Sequence, residues 1–288
     1  MKTIPFLLLI MLFGFGCTQK GAIPSYIYLD KITLAGIDPN TQAALPETKV
    51  IDAWVYVNAQ LIGGFRLPAR IPILNEGVNT VEILPGVAEN GGFATPAIYP
   101  FYERYTKQMN FVSGKTDTLK PVVTYTANAR VNSDGFEGTT TYGDDLDGDA
   151  TTRIIATAND PLSSSGYGKI SLSTDHPSMV AASIGRYDKT QLRGAGAPVW
   201  IEINWRGDNS IAVGIIGRKA GVSVPFTEYQ KKVILAPRAT WGKAYISLYS
   251  ELAAMESKVD DYQIVISSYL DPDKTEGAVY LDNVKVVY

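Results

Sequence analysis

Asp144, Asp145, Asp147 and Asp149 make the densest acidic run in the chain. Carboxylates at alternate positions, here Asp145, Asp147 and Asp149, are what a loop needs to close on one hard divalent cation such as calcium. The same residues also make an ordinary solvated turn, because Asp and Gly are turn formers. His176 is the only histidine, which rules out paired imidazoles; it lies in a Pro-containing turn and reads as a loop residue. Glycoside hydrolysis requires only two carboxyl groups, but no two acidic residues stand out for that work. Gly194 and Gly196 lack the spacing of a phosphate loop and read as a turn. A binding face is more legible. In the segment 199–205, Val199, Ile201, Ile203 and Trp205 alternate with Trp200, Glu202 and Asn204, so the two sets face opposite ways on a strand. An aromatic ring beside a carboxylate and an amide can stack on a sugar and hydrogen-bond its hydroxyls; Trp241 is a further candidate, whereas Trp205 shares the aliphatic face and reads as core. Tyr99, Phe101, Tyr102 and Tyr105 crowd a segment broken by Pro96 and Pro100. Such a run either docks a partner or glycan through its rings or folds back over the end of a sandwich.

The elements that must position these residues are strands. The chain is rich in Tyr, Val, Ile and Thr, with 26 Gly and 16 Pro among 288 residues, the composition of an all-β protein. Strands are expected at 26–34, at 51–65 as a hairpin turning on Asn58 and Ala59, and at 80–86, 106–112 and 117–125. After residue 127 further strands are expected at 151–158, 169–172, 199–205, 210–217, 229–235, 242–248, 262–269 and 278–287. One short helix is expected at 250–259, with Ser250 as its cap. The pattern divides into a small sandwich over 26–126 and a jelly roll over 127–288. Lys and Arg number 26 against 29 Asp and Glu, so the mild acidity gives no electrostatic reason to expect nucleic acid as a partner.

The N-terminus carries its own chemistry. Lys2 precedes an apolar run from Ile4 to Gly16, and Cys17 follows. The run is shorter than the roughly 20 residues of a membrane span and fits a secretory signal. With cysteine after Gly16 it resembles a bacterial lipoprotein signal, which implies removal of residues 1–16 and acylation of Cys17; an ordinary signal peptide is the alternative. Residues 17–25 then form a short polar tether. That tether lacks the acidic cluster which directs some Bacteroidota lipoproteins to the cell surface, so the resemblance implies the periplasmic face of the outer membrane, with the surface as the other option. With Cys17 acylated no disulfide can form.

Three further resemblances concern the folded part. The hairpin at 55–63 with the later Thr80–Ile83 strand resembles the small sandwich modules related to PEGA repeats, although Ala59 stands where those have a turn glycine and Asn79 where they have a histidine. Phe136-Glu137-Gly138, the 262–266 strand and the closing Tyr280–Val286 strand resemble galactose-binding-like, carbohydrate-binding-module jelly rolls. By that resemblance Glu137 and Asp282 would hold a structural calcium where the first and last strands meet. The aspartate run overlaps the start of an EF-hand loop, but position 12 counted from Asp145 is Ala156, which excludes a complete one. Together these readings imply a lipid-anchored, non-catalytic protein acting as a structural, protein-binding subunit of an envelope transport or assembly complex. The alternative is glycan capture through the jelly roll, and a glycoside hydrolase is the third class.

Overall fold

The computed structural model describes residues 21–36, 48–91, 95–157, 166–193, 196–221 and 228–288. It is built almost entirely of β-strands. The N-terminal unit contains β1 (Ser25–Leu29), β2 (Thr33–Leu34), β3 (Asp52–Val57), β4 (Gln60–Arg66), β5 (Ala69–Ile73), β6 (Gly77–Ala88), β7 (Pro96–Ile98), β8 (Tyr105–Phe111), β9 (Thr116–Leu119) and β10 (Val122–Val123). One sheet runs β4-β3-β6-β7, with β8 also on β6; β5-β1-β9 and the pair β10-β2 face it. Between them lie Ile27, Leu29, Val55, Val57, Ile71, Val81 and Ile83, all at most 1 % exposed. The expected strand 26–34 breaks after Leu29, so that β1 pairs with β9 and β2 with β10. The 51–65 hairpin forms as expected. Asn58 and Ala59 both have positive φ, 49° and 64°, the backbone of a type I′ turn. The Asn58 side chain also ties the hairpin to β6, accepting the Thr80 N–H at 2.9 Å and donating to Asn79 Oδ1 at 2.7 Å.

The second unit contains β11 (Val131–Asp134), β12 (Asp144–Asp145), β13 (Ile155–Thr157), β14 (Tyr167–Ser173), β15 (Ser178–Ala182), β16 (Tyr187–Asp188), β17 (Trp200–Gly207), β18 (Ile211–Arg218), β19 (Glu228–Leu235), β20 (Arg238–Ser247), α1 (Tyr249–Met255), β21 (Asp261–Tyr269) and β22 (Glu276–Val287). A front sheet runs β13-β14-β22-β17-β20 with β11 on β22, and a back sheet runs β12-β15-β21-β18-β19 with β16 on β21. Their inner faces enclose one core that includes Ile170, Ile201, Ile203, Val213, Ile215, Ile246, Ile264 and Leu281. This is the expected all-β pair of sandwiches. Alternation failed to signal β15, whose Ser-Met-Val-Ala-Ala is too short and too small to stand out. The helix joins β20 to β21 as expected, but it is shorter and Ser250 does not cap it. Leu248 occupies the N-cap with no side-chain hydrogen bond, held there by its own burial in the core. Ser250 Oγ instead meets Lys232 Nζ at 3.0 Å.

Candidate functional site

The outward side of β17 reads Trp200, Glu202, Asn204, Arg206, and its two halves have different surroundings. The first half is not a ligand face. Trp200 is 6 % exposed and belongs, with Tyr245 and Val287, to the hydrophobic cluster of the N-terminal sandwich. Glu202 is fully buried beside Lys243, with Oε2 2.8 Å from Nζ, because Lys243 and Tyr245 on β20 flank it across the ladder. Its Oε1 accepts hydroxyl protons from Tyr99 and Tyr125, each at 2.7 Å. Tyr102 and Tyr245 pair through their hydroxyls at 2.9 Å, and the Lys49 N–H donates to Tyr245 at 3.1 Å. Tyr99 meets Trp200 edge to face, 5.4 Å between ring centroids. Expected as exposed ligand residues, Trp200, Glu202, Tyr99 and Tyr102 are instead the joint between the two sandwiches. Asn204, also buried, donates to the Gly242 carbonyl at 3.1 Å.

The electrostatics of this joint are self-consistent. Burial alone would raise the Glu202 carboxyl. The charges of Lys243 and Lys285, with hydrogen bonds from Lys243 and Tyr99, outweigh it and hold Glu202 below the ordinary carboxylate value. Burial, and then the Glu202 charge, push Tyr99 and Tyr125 well above the ordinary phenol value. Burial likewise raises Tyr102 and Tyr245. The hydroxyls therefore stay protonated as donors while the carboxylate stays charged. A buried ion pair contributes little net stability; the two tyrosine hydrogen bonds to its carboxylate tie one sandwich to the other.

The second half of the same outward face opens into a groove. Its volume is about 530 Å³, and it is lined by Arg206, Gly207, Asp208, Pro237, Arg238, Ala239, Ala278 and Tyr280. The Arg206 guanidinium lies 4.0 Å from the Tyr280 ring centroid and 5.1 Å from that of Trp241. Tyr167 on β14 continues the row, 5.5 Å from Tyr280. Gly207 lets β17 pass close against β22 at the groove. Its φ of 146° accompanies a register shift between Trp205 and Gly207, and a Cβ there would strike the Ala278 carbonyl oxygen. Arg206 was one alternation step beyond Asn204 in the sequence; Tyr280 and Tyr167 join it only through the β17–β22 and β14–β22 registers.

The acidic run is a braced loop. Asp145 Oδ1 accepts the N–H groups of Asp147 and Gly148, and Asp147 accepts Asp149 N–H through one oxygen and Ser178 Oγ and Val180 N–H through the other. Asp149 accepts the Thr151 N–H, and its second oxygen lies 2.7 Å from His176 Nδ1. These oxygens are directed at backbone and side-chain donors of the loop itself, the hydrogen bonding of a self-braced turn. His176, read as a loop residue, lies in the turn before β15 and ties the acidic loop to it through Asp149. The first and last strands of the jelly roll do pair, Asp134 opposite Val284. Beside that junction Glu137 accepts the Gly166 N–H at 3.0 Å, and the buried Asp282 accepts the Asn283 N–H at 2.6 Å. Among the described residues no group of three or more His, Cys, Asp or Glu could hold a metal. Cys17 and Gly194 lie outside the described residues, whereas Gly196 has the positive φ of a turn, 83°.

No protein-family model matches the chain, and no curated protein matches it. Among solved structures it is similar to β-sandwich carbohydrate-binding modules. A Family 30 module aligns at 9 % identity with a TM-score of 0.41, over 55 % of this chain and 87 % of that one. The Family 11 module of Clostridium thermocellum, solved with a β-1,3-1,4-mixed-linked tetrasaccharide, aligns at 16 % identity and 0.38, over 55 % and 94 %. A module from a study of promiscuous specificity in the β-sandwich superfamily covers 85 % of this chain and 88 % of its own at 10 % identity and 0.32. These are likenesses between sandwiches, and no residue role is taken from them.

Proposed function

We propose that this chain is a non-catalytic, lipid-anchored glycan-binding protein of the outer membrane, in which the jelly roll holds the glycan and the N-terminal sandwich carries it as a rigid spacer. One observation carries the reading: the half of the front-sheet face left uncovered is a groove of aromatic rings and guanidinium groups. Tyr280 and Tyr167 offer ring surface for sugar C–H groups, Arg206 and Arg238 offer planar donors to hydroxyl or carboxylate oxygens, and Asp208 lines the rim. The groove volume falls in the range of small-ligand sites. Glu202, the most deeply buried carboxylate nearby, is committed to Lys243 and two tyrosines, which supports a binding role over hydrolysis. Calcium at Glu137 and Asp282 belongs to the same proposal. Chelation should then lower the melting temperature, and Asp282→Ala should remove that sensitivity.

The test is retention on glycan arrays and polysaccharide affinity gels. Binding should be lost in Tyr280→Ala and weakened in Arg206→Ala. If no glycan is retained and crosslinking instead returns a stable outer-membrane protein partner, the reading as a protein-binding subunit of an envelope complex replaces this one.

A further inference from the structure

At the end of the N-terminal sandwich where β6 begins, four aliphatic side chains stand exposed among Glu76, Ser113 and Lys115. Ile23, Leu74, Val78 and Val112 are 67 %, 68 %, 72 % and 51 % exposed. They come from different parts of the chain but are gathered by the ladder. Ser25 pairs with Ile73, which sets Ile23 and Leu74 at the same end. The Gly114 N–H donates to Pro24 at 3.0 Å, and Ser113 Oγ donates to Glu76 at 2.8 Å. Gly77 and Val78 pair with Phe111 and Asn110, which places Val112 beside them. Other exposed aliphatics, such as Ile155, Ile184 and Ile234, fall on separate elements of the jelly roll. Scattered apolar residues need no explanation, whereas a gathered set on a tip marks a contact surface.

Two features identify what it contacts. Strand β6 is 12 residues long and runs from Gly77 at this tip to Ala88, with Glu89 then bridging to Tyr245 of the jelly roll. At about 3.4 Å per residue the tip and the jelly roll therefore stand about 40 Å apart. Ile23, at this tip, stands six positions after Cys17, a reach of at most about 20 Å. A lipid on Cys17 would hold this tip against the bilayer.

We propose that Ile23, Leu74, Val78 and Val112 form a foot that enters the lipid interface. The molecule then stands on the membrane with its groove held away from the surface. A lipid on Cys17 would fix the chain at one point, and a second apolar contact would fix how the molecule stands on the surface. This inference rests on the lipid-anchor reading of Cys17, so its test is arranged to stand apart from that reading.

A Cys17→Ser chain beginning at residue 17 is tethered through an N-terminal hexahistidine tag to vesicles of phosphatidylethanolamine and phosphatidylglycerol containing nickel-chelating lipid. An environment-sensitive fluorophore is placed on Leu74→Cys, Val112→Cys or, as control, Ile234→Cys. Blue-shifted emission quenched by brominated lipid is expected at 74 and 112 and not at 234. Aqueous spectra at all three overturn the foot. A blue shift at 74 without vesicles, accompanied by dimer in sedimentation, also overturns it and assigns the face to a second copy. In the tagged Cys17→Ser chain, Leu74→Ser/Val112→Ser should lower partitioning to vesicles that lack the chelating lipid about tenfold; an unchanged partition counts against the foot. Mass spectrometry of Cys17 decides the anchor separately, and an unmodified thiol sinks that reading while the tagged experiment still decides the foot.

Discussion

A single row of side chains on β17 has two fates. Trp200 and Glu202 are enclosed by the N-terminal sandwich, while Arg206, on the same face of the same strand, lines an open groove. The residue types do not account for the difference, since both halves pair an aromatic with a charged group. Neighbours do. Around Glu202 the charge is answered from within the chain: two phenols donate to it, the Lys243 ammonium lies 2.8 Å away, and the charge of Lys285 adds to the field. Around Arg206 the aromatic faces of Tyr280 and Tyr167 remain part-exposed. A charged aromatic cluster enclosed by the chain is architecture, and one left partly open has room beside its rings.

The largest way to break that contrast is to remove one partner of the closed half. Lys243→Met leaves Glu202 buried without its cation and should cost about 3–5 kcal/mol in chemical denaturation. Glu202→Gln/Lys243→Met should recover more than half of that loss, because two neutral groups replace an orphaned charge. Trp200→Ala empties the centre of the joint and should cost about 3–5 kcal/mol. If Trp200→Ala lowers glycan retention while leaving stability intact, the closed half is a ligand site after all.

On the open half the balance reverses. Tyr280→Ala should change stability little yet weaken glycan retention by about 2 kcal/mol, roughly thirtyfold, read from affinity gels across a series of ligand concentrations. The closed half should also show itself in pH. Glu202 is held below its unfolded value, so its contribution is present above about pH 4.3 and is lost as pH falls through the folded value. The joint tyrosines are held above theirs, so their contribution is full below about pH 10 and fades as pH rises further. Stability should therefore show a plateau bounded by those two limits. Glu202→Gln should remove the Glu202 share of the acid limb, measured as the midpoint of denaturation against pH.

How much of this was legible in the residues follows from the range of each interaction. Alternation along 199–205 correctly separated Val199, Ile201, Ile203 and Trp205 from Trp200, Glu202 and Asn204, because that pattern is local. Which face meets solvent is not local. Tyr99 and Tyr125 reach Glu202 from 103 and 77 residues away, and no spacing rule announces such a meeting. The aromatic crowd at 99–105 did carry the right alternative, a loop folded over the end of a sandwich, although the surface it covers belongs to the other sandwich. The aspartate run allowed two readings for the opposite reason: Asp-rich loops bind cations or their own backbone with the same residues, and only the destination of each oxygen separates the two. The hairpin at Asn58 and Ala59 was fully legible, since a two-residue turn sets its own register.

That hairpin gives the smallest and most discriminating test. Ala59 sits at φ 64°, where a Cβ costs about 1 kcal/mol and glycine costs nothing sterically. Allowing for the greater freedom of glycine in the unfolded chain, Ala59→Gly should stabilise the N-terminal sandwich by about 0.5 kcal/mol. The turn lies far along the chain from Glu202 and touches neither half of the β17 face. Its effect on the jelly roll can therefore arrive only through the joint. If the joint welds the two sandwiches, calorimetry should show one transition, moved up by about 1–2 °C as a whole. If the sandwiches melt separately, only one of two transitions will move, and the Tyr99 and Tyr125 hydrogen bonds to Glu202 must then be read as contacts the molecule can open. In that case the closed half of the face would become exposed when the sandwiches part, and the contrast with the groove would be one of condition, not of kind.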